Sequence, residues 1–151
     1  MAQAPSTAPS SPLQSVLHLL HRAGQRADGL FARHIGGDLT PRQFAVLQAV
    51  AEADGISQTG IMAATGIDRS STAALVRRLV SDGLLQRRRT RSDARAYAVR
   101  LTSEGRQLLS RGAPATRATD EALLSSVPPA QRASFLKALA IMVQSDERKE
   151  F

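Results

Sequence analysis

Ser57-Gln58-Thr59-Gly60-Ile61-Met62-Ala63-Ala64-Thr65-Gly66-Ile67-Asp68-Arg69-Ser70-Ser71-Thr72-Ala73-Ala74-Leu75-Val76-Arg77-Arg78-Leu79-Val80-Ser81-Asp82-Gly83 holds two helix starts and two helix stops within 27 residues. Ser57 is a hydroxyl N-cap for a short helix over residues 58–64, and Thr65-Gly66 breaks it. Asp68 caps a second helix, which runs to about Ser81 and stops at Asp82-Gly83. Thr72, Leu75, Val76 and Leu79 recur at helical spacing and predict its inward face. Two short helices joined by a glycine-containing turn read as a helix-turn-helix.

Downstream of Gly83 the period changes. Leu84-Leu85 leads into Gln86-Arg87-Arg88-Arg89, a polar turn follows over residues 90–94, and Tyr97, Val99 and Leu101 then alternate with Ala98 and Arg100. Period two with a polar tip predicts a β-hairpin. Thr102-Ser103-Glu104 opens a further helix reaching about Ser125, with an interruption expected at residues 112–114, where Gly112 and Pro114 stand. Val127-Pro128-Pro129 is the last break, and residues 130–147 form a final helix with Phe135, Leu136, Leu139 and Val143 apolar.

Upstream, Thr40-Pro41 pairs a hydroxyl cap with proline at the first helical position. Phe44, Val46, Leu47 and Val50 supply that helix's apolar face, and Asp54-Gly55 ends it. The first helix is expected from Leu13, through Val16, Leu17, Leu20, Ala23, Ala27, Leu30 and Phe31, to Gly36-Gly37. Residues 1–12 are small, polar and proline-punctuated, so a disordered tail is expected there. The whole reads as mainly α with one small β-hairpin.

Charge points to a partner. The chain carries 20 basic against 13 acidic residues, and 18 of the bases are Arg. Residues 68–111 hold eleven Arg and four acids, so the whole net charge of +7 lies in that stretch and the remainder is neutral. One cationic segment in a neutral chain is an electrostatic footprint for a polyanion, and arginine is the better fork for phosphates and guanine edges.

At 151 residues, one domain is expected. No stretch of about 18 apolar residues is present to span a membrane, and no signal peptide is legible, so the cytoplasm is the expected location. The absence of cysteine excludes disulfides, zinc fingers, iron–sulfur clusters and thiol redox sensing. No phosphate-binding loop, nucleophile elbow, zinc-protease or dinucleotide motif is found, and the hydroxyls of Ser70, Ser71 and Thr72 have no evident base beside them. No catalysis and no cofactor are therefore expected. His18 and His21 lie three apart on one helix face; they make half of a metal site or, more simply, a helix surface or a dimer rim.

Four local patterns, in order and in register, resemble the MarR family of winged helix-turn-helix regulators. They are Leu39-Thr40-Pro41-Arg42-Gln43-Phe44, the run from Ile67 to Leu85, Asp93-Ala94-Arg95, and Leu101-Thr102-Ser103-Glu104-Gly105. They resemble the family's second-helix opening, its recognition helix with the strand entry, its wing, and its strand-to-helix junction. The resemblance spans about residues 13–147. It departs from the family pattern at Ala73 and Ala74, where many members carry Thr and then a polar or basic residue. The lack of cysteine also separates the chain from peroxide-sensing members.

The resemblance implies a homodimer on an inverted-repeat operator in double-stranded DNA, with half-sites roughly 34–36 Å apart. Residues 13–36 and 114–147 would be dimerisation helices, and residues 37–111 the DNA-binding lobe. On the residues' own evidence, Ser70, Ala73 and Arg77 share the outward face of the recognition helix. Arg69, Ser70 and Ser71 occupy its first turn, where free N–H groups favour phosphates. Arg77 is long enough for a guanine edge or a phosphate, while Arg78 lies nearer the core face and packs or forms an ion pair. Arg87, Arg88, Arg89 and Arg91 are phosphate contacts, only some of which can face DNA at once because strand residues alternate. Arg95 at the hairpin tip suits a narrow A·T minor groove, with Asp93 accepting its hydrogen bonds or holding the turn. The simpler alternative is that these arginines are solvated helix and strand surface.

The resemblance also implies a small effector, aromatic or anionic, in a crevice between the dimer helices and the lobe. Phe31, His34, Phe44 and Leu47 are its candidate lining, with Arg42 or Arg106 as anion partners; Phe44 and Leu47 also fit plain core. A sequence-specific repressor released by such a ligand is the expected function. A non-specific architectural DNA-binding protein is the alternative, distinguished by a small ratio of specific to random-DNA affinity.

Overall fold

Side-chain oxygens open five of the helices. The computed structural model describes residues 11–37, 39–53, 55–90 and 97–144. Ser11 starts a 3-10 turn, Pro12–Gln14, and Ser15 then caps α1 (Val16–Ile35) by accepting from the His18 N–H at 3.2 Å. The first α-helix thus begins one turn after Leu13, because Ser15 is itself extended and offers the cap there. Thr40 and Gln43 form a reciprocal capping box on α2 (Pro41–Glu52), with bonds of 3.2 and 2.9 Å. Ser57 caps α3 (Gln58–Thr65), Asp68 caps α4 (Arg69–Ser81), and Thr102 caps α5 (Ser103–Leu124). Gly66 joins α3 to α4 at φ +67°, in the left-handed region that a Cβ disfavours.

The hairpin is β1 (Leu85–Arg89) paired antiparallel with β2 (Tyr97–Leu101), in the register Leu85 opposite Leu101 and Arg89 opposite Tyr97. Ile56, just before α3, adds a third partner, its carbonyl accepting from Val99 N–H at 2.8 Å. Of the alternating residues on β2, Val99 and Leu101 are buried and Tyr97, at the outer end, is exposed.

One apolar core unites α1, α2, α3, α4, α5 and the sheet. Val46, Leu47, Ile61, Val76 and Leu79 are fully buried, and Phe31, Phe44, Leu85, Val99, Leu101 and Leu108 close around them. Each such side chain contributes about 1.5–3 kcal/mol relative to exposure. Thr72 is also fully buried, and its hydroxyl donates to the Ile67 carbonyl at 3.1 Å, so no polar atom is stranded.

Two expectations are corrected. The break at residues 112–114 does not occur: α5 runs unbroken through Pro114. Pro114 lies on the exposed side, while Gly112 and Ala115 are buried, Gly112 against the Phe44 ring. Packing of α5 along α1 and α2 outweighs the roughly 3 kcal/mol that an interior proline costs a helix. The last helix, α6 (Pro129–Gln144), starts one residue early, and residues 145–151 lie outside the described residues, as do residues 1–10 of the expected tail. α6 buries none of its residues, and Phe135, Leu136, Ile141, Met142 and Val143 are exposed along it. The start of α1 is equally bare, with Leu13, Val16, Leu17, Leu19 and Leu20 exposed. Among the described residues no helix is long and apolar enough to cross a membrane.

Candidate nucleic-acid interface

α4 is built for presentation. Its inward stripe is Thr72, Val76 and Leu79, all at 0% exposure, and Leu75 is half-buried beside them. A helix anchored so completely on one side holds its other side at a fixed angle. That outer side carries Ser70, Ala74, Arg77 and Arg78, all exposed; Ser71 and Ala73 sit at its edges, half-buried, and Arg69 is exposed at the helix start, above the buried stripe. Ala74 therefore occupies the centre of the face on which Ala73 was expected. The 100° step per residue explains this, since Ala74 is one turn from Ser70 and lies opposite the buried stripe.

Arg78 is exposed rather than packed, and its Nε donates to Asp82 at 2.9 Å, the ion pair being one of its two expected roles. The link spans one helical turn and lies at the surface, so its energetic contribution is small.

Asp68 organises the first turn. Its Oδ1 accepts from the Ser71 N–H at 2.9 Å and from the Ser70 hydroxyl at 2.8 Å. Hydrogen bonds from Ser71, then Ser70, hold this carboxyl well below the usual carboxylate range. A lowered acid stabilises the fold at pH above the ordinary carboxylate value, and that contribution is lost as pH falls through the folded value. Asp68→Asn keeps the acceptor but not the charge. Wild type is expected to melt above this variant at neutral pH, and the gap is expected to narrow below about pH 4. Thermal midpoints against pH check this, and a gap that stays constant into acid rules the charge out.

The hairpin divides its arginines. Residues opposite one another on paired strands share a face, so Arg87 and Arg89 lie with Val99 and Tyr97, while Arg88 lies with Ala98. The three are exposed. Arg89 stacks over the Tyr97 ring, its guanidinium carbon 5.9 Å from the centroid. Arg91, Asp93 and Arg95 fall outside the described residues.

The expected effector lining divides as well. Phe31 and Phe44 come together, ring centroids 5.5 Å apart at 49°, beside a crevice of about 260 Å³ between α1, α2 and α5. Thr119 of α5 also lines it, donating to the Ala115 carbonyl at 2.8 Å and meeting His34 Nδ1 at 3.1 Å. Leu47 lies in the sealed core instead. Arg42 lines a separate hollow of about 460 Å³ against Thr65, Gly66, Ile67 and Asp68. Arg106 turns to the Leu101 carbonyl, at 3.3 Å. The crevice wall carries Asp28 and Asp120 where a base was expected. Sequence reasoning missed Thr119 and both acids, and no local pattern marks them, because the packing of α5 on α1 creates their proximity.

A helix-turn-helix leading directly into an arginine-bearing hairpin defines the class: a winged helix regulator. A MarR family model matches residues 37–96. The HTH-type transcriptional repressor NicR of Pseudomonas putida is 32% identical over 149 residues, 95% of this chain and 94% of that protein. The chain belongs to the MarR family. Among solved structures, that of Bordetella bronchiseptica BpsR, whose DNA binding is regulated by 6-hydroxynicotinic acid, superposes with a TM-score of 0.82 at 29% identity, covering 91% of this chain and 99% of BpsR. The repressor CouR, bound to a 23-mer DNA duplex, gives a TM-score of 0.77 at 28% identity, covering 89% of this chain and 99% of CouR.

Proposed function

We propose that this MarR-family protein is a cytoplasmic, homodimeric repressor that binds an inverted-repeat operator and is released by a small aromatic ligand. The observation that carries the reading is the two-sidedness of α4: one stripe fully buried, the other bearing Ser70, Ala74 and Arg77, with the exposed arginines of β1 following in the chain. In this reading Arg77, exposed on the outer side of α4, reads a base. Arg69, with Arg87, Arg88, Arg89 and Arg91, grips phosphates, the Ser71 N–H being taken by the Asp68 carboxylate, and Arg95 with Asp93 serves the minor groove. Residues 37–111 act as the DNA-binding lobe, and α5 carries it without a joint into the dimerisation helices of residues 13–36 and 114–147. NicR and CouR, both named as repressors, support the sign of regulation.

Selection of bound duplexes from a random DNA pool tests the reading, with an inverted repeat as the expected product. If each protomer neutralises about four phosphates, the dimer's log–log salt slope is about −7, and affinity falls about 10⁴-fold between 50 and 200 mM salt. Equal affinity for selected and random DNA would establish the architectural alternative.

The dimer is supported by the bare apolar faces at the start of α1 and along α6, since clustered exposed apolar side chains mark interaction surfaces. Leu17 is 81% exposed, so Leu17→Glu costs the isolated chain little. It is expected to give monomers in sedimentation and to weaken operator binding at least about 100-fold, since two linked half-sites bind with avidity. A Leu17→Glu protein that stays dimeric removes α1 from the interface.

Phe31 and Phe44 support an aromatic effector, and about 260 Å³ suits a single ring. The regulation of BpsR by 6-hydroxynicotinic acid is in keeping with that size. Such a ligand acts only by favouring one spacing of the two lobes over another; a shift from 1:99 to 99:1 needs about 5.5 kcal/mol of differential binding.

A further inference from the structure

Ser70, Ala74, Arg77 and Ser81 stand at i, i+4, i+7 and i+11 and are all exposed, forming the stripe of α4 that points straight away from the core. The chemistry along it is unequal. The Ser70 hydroxyl proton is committed to Asp68 at 2.8 Å. Arg78, one step round the helix, is tied to Asp82. Arg77 makes no hydrogen bond or ion pair among the described residues. Between Ser70 and Arg77 the stripe offers only the Ala74 methyl group.

A methyl group cannot read a donor or an acceptor. The one apolar group on the floor of an unmodified major groove is the C5-methyl of thymine, and a free guanidinium fits the O6 and N7 of guanine. Ala74 and Arg77 are about 4.5 Å apart along the helix axis, close to the roughly 3.4 Å of one base-pair step. We propose that Ala74 packs on a thymine methyl and Arg77 pairs with the guanine beside it, so that a guanine with a neighbouring thymine marks each operator half-site. This assignment rests on α4 being the recognition helix.

The experiment uses the full-length protein and the duplex recovered from the random pool. Each thymine is replaced in turn by deoxyuridine, which removes the methyl and leaves base pairing intact. One position per half-site, next to a guanine, is expected to lose about fourfold in affinity, and about fifteenfold when changed in both halves, as for one buried methyl group. Ala74→Gly is expected to abolish that sensitivity, and Ala74→Ser, which keeps more helix propensity, to reduce it; thermal melts confirm that both remain folded. A recovered operator with no methyl-sensitive thymine beside a guanine overturns the proposal, as does a sensitivity that Ala74→Gly leaves unchanged. In both of those cases the reading of α4 still stands. A pool that yields no specific site overturns that reading, and this assignment with it.

Discussion

Gly105→Ala is expected to lower stability by about 3 kcal/mol, and the melting temperature by roughly 10 °C. Gly105 sits in the first turn of α5, and a Cβ placed there overlaps the Leu84 carbonyl oxygen and comes within 3.1 Å of Leu101 Cδ2. The obstacle is backbone, so no rotamer change relieves it. The Leu84 carbonyl is moreover held in place: it accepts from Thr102 N–H and from the Thr102 hydroxyl, both at 3.1 Å. The same hydroxyl reaches the Gly83 carbonyl at 2.7 Å and caps α5 by accepting from Gly105 N–H at 3.0 Å. One threonine thus ties the end of α4, the start of β1 and the start of α5 together, and Gly105 lets them close. Gly24→Ala is the control, because a Cβ there meets nothing within 4 Å. In an exposed helix interior that change is expected to stabilise by about 0.5–1 kcal/mol. Calorimetric melts of the two variants check the sign difference. A Gly105→Ala protein as stable as wild type would show that the junction yields easily.

Arg77→Ala is expected to produce the largest loss in operator binding of any single arginine. A bidentate arginine–guanine contact is worth about 1–3 kcal/mol, and the proposed symmetric dimer would use it twice, so the expected loss is roughly 30-fold to more than 10,000-fold. Arg78→Ala is expected to cost far less, because its guanidinium is engaged with Asp82. Binding to selected and random duplexes across a salt series separates the possible roles of Arg77. A loss confined to the selected site means base reading. Equal losses on both duplexes, with the salt slope falling by about two for the dimer, mean that Arg77 touches phosphate instead.

Much of the fold was legible because its signals are local. A cap is a single side chain meeting the next turn of its own backbone, so Thr40, Ser57, Asp68 and Thr102 could be read off the sequence, and each caps a helix. The hairpin was legible from period two. The expected break at Pro114 misled for the opposite reason: the local cost of proline is real, but the packing that offsets it comes from α1 and α2, far away in the chain. The candidate interface shows the same division. Arg77 was legible from helical periodicity, and Ala74 follows from the same 100° step, since it lies opposite Thr72, Val76 and Leu79; the engagement of Arg78 with Asp82 rather than with the core was shown only by the folded chain. The crevice was the least legible part. Arg42 and Leu47 are sequence neighbours of Phe44, yet one faces another hollow and the other is sealed in the core.

Composition, spacing and caps settle by themselves that this chain forms two short helices and a basic hairpin in succession, because those instructions act over a few residues and survive in the unfolded chain. Which arginines are left unengaged and which side chains line the space beside Phe31 and Phe44 were decided only on folding. Each depends on the angle at which one buried helix meets another, and that angle is set by the shape of the whole core rather than by any segment of it.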